Sequence, residues 1–110
     1  MYSCVLRLTF PDKTAKAMVV TYMKHVADDV GFEKYGVVMR FAIDTSDTEL
    51  AIALIFKDKK SCEADGKAQR NNLVSTWRSQ GVNVVTFEGE IGSVKLNPDF
   101  VQGLLNDSNG

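Results

Sequence analysis

The sequence has no apolar run long enough to cross a bilayer: its longest, Leu50 to Phe56, falls far short of the roughly 20 residues that a spanning helix needs. It also lacks an excess of either charge, with 13 basic against 14 acidic residues. Neither nucleic acid nor an anionic membrane is therefore expected as a partner. The N-terminal stretch MYSCVLRLTF has no basic start, no long apolar middle and no small-residue cleavage site. It reads as a first strand and not as a signal peptide, which makes a cytoplasmic location the expectation. The cysteines are only Cys4 and Cys62, with no Cys-x-x-Cys pair. They read as free buried thiols, no metal site is expected, and nothing in the chain calls for a cofactor. At 110 residues there is room for one core, which buries roughly two thirds of the unfolded surface.

What is present is organised around Tyr35 to Phe56, two apolar runs on either side of the polar turn Thr45-Ser46-Asp47-Thr48. Large apolar residues recur with period two at Tyr35, Val37, Met39, Phe41 and Ile43, then at Leu50, Ile52, Leu54 and Phe56. This is the signature of a hairpin. With Asp44 opposite Glu49, the expected register pairs Ile43 with Leu50, Phe41 with Ile52, Met39 with Leu54 and Val37 with Phe56. The reverse face then carries Val38, Arg40 and Ala42 against Ala51, Ala53 and Ile55. A strand with water on one side alternates apolar with polar, so this hairpin is expected to be covered on both faces.

The flanking segments supply one cover. Tyr2 to Phe10 alternates as a strand. Pro11 ends it, and Asp12 is placed to cap a helix running to about Val30, with Ala15, Val19, Tyr22, Met23, Val26 and Val30 as its buried stripe and Gly31 as its end. After the hairpin, Asp58 or Ser61 caps a second helix that reaches Gln80, with Gly81 at the left-handed position beyond it. Apolar anchors in that helix fall mostly in its second half, at Leu73, Val74 and Trp77. Val82 to Phe87 reads as a fourth strand. The domain is expected to occupy residues 1–92. Residues 93–110 form a C-terminal arm with an extended piece at Val94 to Leu96, a short helical turn started by Asn97 and Pro98, and a disordered end from Asn106 to Gly110.

The order βαββαβ gives an α+β, ferredoxin-like fold: a four-stranded antiparallel sheet with two helices on one face. An uncovered apolar sheet face marks an interaction surface, and the simplest partner is a second copy. On this pattern, Tyr2 to Ile91 resembles the dimeric α+β barrel superfamily, in which two such subunits pack sheet to sheet as a homodimer. Rival uses of the topology lack their residues. Thr9-Phe10-Pro11-Asp12-Lys13 is not the glycine-rich anion loop of an acylphosphatase. Val5, Arg7, Ala51, Ala53 and Ile55 are not the base-stacking aromatics of an RNA-recognition sheet. The first strand has no Asn and the second helix no His to accompany Trp77, which argues against haem degradation.

The superfamily resemblance implies a ligand between helices and sheet, and many such proteins are cofactor-independent oxygenases or isomerases. The candidate contacts are Met18, Tyr22, Arg40, Phe41, Leu54, Arg70 and Trp77. His25, the only histidine, belongs to the residue type that changes charge near neutrality, and it reads either as a surface residue or as a proton carrier. Tyr22 and Trp77 read as core aromatics or as pocket walls. Arg40 is expected on the face between subunits, in an ion pair or as an anchor for an acidic ligand group. Gln69 and Arg70 are expected to face solvent, with projection into a cavity as the alternative. Three functions are open to such a chain: a homodimer that binds a small amphipathic molecule such as a fatty acid, polyketide or quinone; a cofactor-independent monooxygenase or isomerase; or a structural dimer without ligand.

Overall fold

Alternation in the first strand is carried through to burial. Tyr2, Cys4, Leu6 and Leu8 of β1 (Tyr2–Thr9) all point into the core, while Arg7 and Thr9 between them are exposed. The computed structural model describes residues 1–109, without the side chains of 28, 104 and 107–109. Strand β1 lies between β3 (Glu49–Phe56) and β4 (Asn83–Glu90), and β2 (Val37–Ser46) pairs with β3, so the antiparallel sheet has the order β2-β3-β1-β4. Two helical rods cover its Leu6 and Leu8 side. This is the ferredoxin-like arrangement that the order of elements predicts.

Each rod is an α-helix interrupted by a π-helical turn. The first comprises α1 (Lys13–Tyr22), a π turn at Met23–Ala27 and α2 (Asp28–Lys34); the second comprises α3 (Lys59–Asp65), a π turn at Gly66–Arg70 and α4 (Asn71–Ser79). Both start as expected, on an aspartate that satisfies a free backbone donor. Asp12 accepts from the Ala15 amide at 2.8 Å and Asp58 from the Ser61 amide at 2.7 Å. That contact holds the Asp58 carboxyl below its ordinary pKa. The first rod does not end at Gly31. It continues to Lys34, and the chain reverses at Gly36, whose φ of 68° suits a residue without Cβ. Gly31 is buried instead, because a side chain there would meet the Val37 methyl at 3.1 Å.

The π turn also corrects the expected stripe. One extra residue in a turn rotates the next part of the helix about its axis. Val19 and Met23 are buried as predicted, joined by Lys16, whereas Val26 within the turn is exposed, as is Tyr22, which ends α1 before it. Lys16 is buried because its ammonium donates to the Asp44 carboxylate and to the Ser46 carbonyl at the end of β2.

The hairpin register differs from the expected one in the middle. Val37 pairs with Phe56, as predicted. A bulge at Val38 then shifts β2, so that Arg40 lies opposite Leu54, Phe41 opposite Ala53, Ala42 opposite Ile52 and Ile43 opposite Ala51, until a second irregularity before Ser46 restores the phase. A slip of one residue turns every side chain to the other face. Arg40 therefore points under the helices and not between subunits, and Phe41 points away from them. The open face is accordingly more apolar than predicted, with Met39, Phe41 and Ile43 beside Ala53, Ile55, Val5, Val85 and Phe87.

Beyond β4 the chain is extended through residues 91–97 and then forms α5 (Pro98–Asn109). The Asn97 side chain caps it, accepting from the Asp99 amide at 2.9 Å. The helix is longer than the single turn expected, and it covers Asn106 to Asn109, where disorder was expected; Gly110 lies outside the described residues. Phe100, Val101 and Leu105 recur at helical spacing on it, which gives the apolar stripe a helix needs.

Candidate functional site

The two π turns stand over the sheet at the level of Leu6 and Ile52, and a small cavity of about 50 Å³, partly open to solvent, lies beneath them. Its floor is Leu6, Val37, Ile52 and Leu54; Met23, Ala27, Gly31 and Phe32 of the first rod and Leu73 and Trp77 of the second form the walls. Four polar residues, Arg40, Asp65, Gln69 and Arg70, reach the same space. Small-molecule sites share this balance of apolar wall to convergent polar groups.

Asp65 and Arg70 are five residues apart, the spacing that a π turn brings onto one face. Arg70 Nη1 donates to Asp65 Oδ2 at 2.5 Å, and Nη2 donates to the Cys62 carbonyl at 3.0 Å and to Cys62 Sγ at 3.5 Å. Its guanidinium carbon stands 5.6 Å from the centre of the Phe56 ring, on the sheet side. Gly66 makes room for this fold-back, since a Cβ there would fall 2.8 Å from Arg70 Nη2. Burial works against the charge of Arg70, but Cys4, Cys62, Asp65 and Glu88 around it outweigh burial and raise its pKa. Gln69 Nε2 donates to Asp65 Oδ1 at 2.8 Å and to the Ala27 carbonyl at 3.3 Å. That second bond ties the π turn of one rod to the π turn of the other across the roof of the cavity.

On the far side of Arg70 a more polar recess opens between α4 and β4, where Cys4, Arg78, Thr86 and Glu88 meet. Glu88 accepts from the Tyr2 hydroxyl at 3.2 Å, and Cys62 Sγ lies 3.9 Å from its other oxygen. Both cysteines are free. Burial pushes the Cys4 thiol up to about 11, and burial likewise raises Cys62, with Arg70 acting in the opposite sense. Both are held as neutral thiols at physiological pH.

Of the residues named from the sequence, Arg40, Leu54, Arg70 and Trp77 come together around the cavity. Met18, Tyr22 and His25 do not; they are exposed on the outside of the first rod. Phe41 lies on the open sheet face because of the register shift. Gln69 and Arg70 point into the cavity, not into solvent. Asp65 escaped the sequence reading, although an aspartate five residues before an arginine, in the apolar-poor half of a helix, was a usable signal.

No sequence family and no curated protein matches the chain. Solved structures do. A Deinococcus radiodurans protein with a provisional antibiotic biosynthesis monooxygenase assignment superposes with a TM-score of 0.71 at 12% identity, covering 88% of this chain and 98% of its own. A dimeric ferredoxin-like protein from an uncultured marine organism gives 0.65 at 8% identity, over 87% and 98%. SnoaB of Streptomyces nogalater, a cofactor-independent oxygenase, gives 0.60 at 13% identity, over 88% and 96%. Agreement over nearly whole chains at such low identity is agreement of fold, and the chain has the ferredoxin-like fold found in the dimeric α+β barrel proteins.

Proposed function

We propose that two copies of this chain pack open sheet face against open sheet face, and that each copy holds a small amphipathic molecule, of fatty-acid, polyketide or quinone type, in the cavity beneath its helical rods. The observation that carries this reading is the cavity itself. Its floor and walls are apolar, while Arg40, Asp65, Gln69 and Arg70 are the only polar residues lining it among those described. An apolar body would lie along Leu6, Ile52, Leu54, Leu73 and Trp77, with its polar end toward the guanidinium groups. The dimer is supported by the large apolar residues left exposed on the open face, and by the dimeric state of the marine ferredoxin-like protein.

A cofactor-independent oxygenase is the second reading, favoured by the structural likeness to SnoaB. In that case the guanidinium groups would stabilise negative charge developing on a substrate oxygen in a site screened from water. His25 is not positioned for proton transfer there, being outside the cavity.

Native mass spectrometry of the protein purified from cells tests the binding reading. The expected spectrum is a dimer carrying an added small mass per subunit that leaves on denaturation. A monomer at micromolar concentration overturns the dimer, and a dimer that takes up no apolar probe, such as a naphthoquinone or a medium-chain fatty acid, overturns the binding site. Incubating a captured molecule with the protein in air then separates the two readings. Gain of one oxygen atom, seen only with protein present, identifies an oxygenase.

A further inference from the structure

We infer that Arg70 is a movable wall between two chambers, and that the molecule taken up is an amphipathic acid spanning both, with its apolar end in the cavity and its carboxylate in the recess beyond, between Arg70 and Arg78. This rests on the binding reading proposed above and adds to it the class of the polar end and the residue that admits it.

Three observations carry it. The first is that the two spaces share a wall and that the inner one is too small alone. The cavity beneath the π turns holds about 50 Å³, whereas sites for small organic molecules hold about 300 Å³ or more. The recess between α4 and β4 holds about 260 Å³. Leu6 and Arg70 line both. Leu6 is the floor at the boundary, on β1, and Arg70 is what stands above it. With the guanidinium turned aside the two spaces join, and together they reach the volume that the cavity lacks.

The second observation is how the wall is held. Among the described residues the hydrogen bonds of the Arg70 guanidinium, to Asp65 and to the Cys62 carbonyl and thiol, stay within its own rod. It can therefore turn by side-chain rotation, with the rods and the sheet in place and Asp65 still bonded to Gln69 Nε2 at 2.8 Å. The closed position is nonetheless built in. Glycine weakens a helix interior relative to alanine, yet Gly66 stands where a Cβ would fall 2.8 Å from Arg70 Nη2. Alanine there would push the guanidinium out of the wall.

The third observation is the change in chemistry across Arg70. The apolar lining of Leu54, Leu73 and Trp77 gives way beyond it to Asn71, Arg78, Thr86 and Glu88. Two guanidinium groups face the recess against one carboxylate, and that carboxylate, Glu88, already accepts from the Tyr2 hydroxyl at 3.2 Å. Arg78 Nη2 donates to the Val84 carbonyl at 2.8 Å, which is one of the five N–H donors that a guanidinium carries. A planar anion is the group that such forks bind best, and a carboxylate supplies it on a molecule whose other end is apolar.

The test uses Trp77, the only tryptophan of the chain and part of the cavity wall, as reporter of an apolar end that has arrived there. The full-length protein is titrated with ω-bromodecanoic acid and with ω-bromodecanol, whose bromine quenches a neighbouring indole. The acid is expected to bind at least about tenfold more tightly than the alcohol, and Arg78→Met to bring the two within about threefold of each other. In stopped flow, Gly66→Ala is expected to speed association of the acid at least about fivefold, because its wall is already displaced. Equal binding of acid and alcohol to the unmodified protein overturns the carboxylate. An acid preference that survives Arg78→Met assigns the carboxylate to Arg40 inside the cavity and overturns the span. An unchanged association rate in a folded Gly66→Ala variant overturns the movable wall. If neither probe quenches Trp77 in the unmodified protein, the binding reading itself falls, and this inference with it.

Discussion

The two faces of this sheet are built from similar residues and differ in what lies over them. On the helix side Leu6, Leu8, Ile52 and Phe56 are at most 3% exposed, whereas on the open side Met39, Phe41, Ile43, Val85 and Phe87 are each 46% to 65% exposed. A face meant for water would carry polar residues at those positions. In the assembly proposed above, one face carries the fold and the other carries the contact between copies. A charge at the centre of the open face is the sharpest way to break that division. Phe41→Asp is expected to cost the dimer at least about 4 kcal/mol, roughly a thousandfold in dissociation constant, while leaving a folded monomer by circular dichroism. Sedimentation velocity reads the first effect. A variant that stays dimeric at low micromolar concentration would mean that the open face is not the interface.

The matching change on the covered face acts on folding instead. Leu8→Ala removes a fully buried side chain and is expected to lower the unfolding free energy by about 3 to 4 kcal/mol in urea titration. If Leu8→Ala dissociated the dimer as strongly as Phe41→Asp without unfolding it, the two faces would not be separable in this way.

Within the covered face the cavity wall makes a finer contrast, because a buried ion pair stands where an apolar residue would pack. Asp65→Ala leaves the Arg70 guanidinium buried with only the Cys62 carbonyl and thiol as polar partners. The expected loss is about 3 kcal/mol, most of it the cost of an uncompensated charge. Removing both partners, Asp65→Ala with Arg70→Met, should cost less than Asp65→Ala alone, and chemical denaturation of the two variants checks that order. A double variant less stable than the single one would show that Arg70 contributes mainly through its contacts with Cys62 and Phe56.

Much of the division between faces was legible in the sequence, and the part that was not has a physical cause. The period of two in β1 and β3, the capping aspartates Asp12 and Asp58, and Gly81, whose φ is 89°, were enough to order the elements and to assign Leu6, Leu8, Ile52 and Phe56 to the core. The bulge at Val38 was not legible, because neither Gly nor Pro marks it and the apolar alternation of β2 runs through it unbroken. That single extra residue exchanged the positions of Arg40 and Phe41, so the cavity gained a guanidinium and the open face gained a ring. The π turns misled in the same manner. A helical wheel drawn at constant pitch carries the buried stripe of the first rod on to Val26, which the π turn leaves exposed, and the second π turn brings Asp65, five residues before Arg70, onto the same face as that arginine. Local insertions of one residue thus decided which side chains reached the candidate site.

Cys4 sharpens the contrast through pH. Its thiol, deep on the covered face, has an ordinary value of 9.0 and is pushed up to about 11 by burial. An acid whose folded pKa is raised stabilises the fold fully below its unfolded value, and that contribution is lost as pH rises through the folded value. Between pH 9 and pH 11 the loss from this group is about 2 kcal/mol. Cys4→Ala should flatten the decline of stability over that window, and equal slopes for the two proteins would show that another group controls alkaline unfolding.

The smallest expected effect belongs to the residue that the sequence made most prominent. His25 is exposed on the outer side of the first rod, within the π turn whose Met23 and Ala27 line the cavity. The imidazole is therefore on the far side of the backbone from any molecule held under the roof. His25→Ala removes no buried contact, so it should change the unfolding free energy by no more than about 0.5 kcal/mol. Probe affinity in His25→Ala should likewise stay within a factor of about two of the unmodified protein, since the side chain does not reach the cavity. A tenfold or larger loss of probe affinity in a folded His25→Ala variant would defeat this assignment. It would require the first rod to turn its outer face inward on binding, with the π turn closing as the ligand enters.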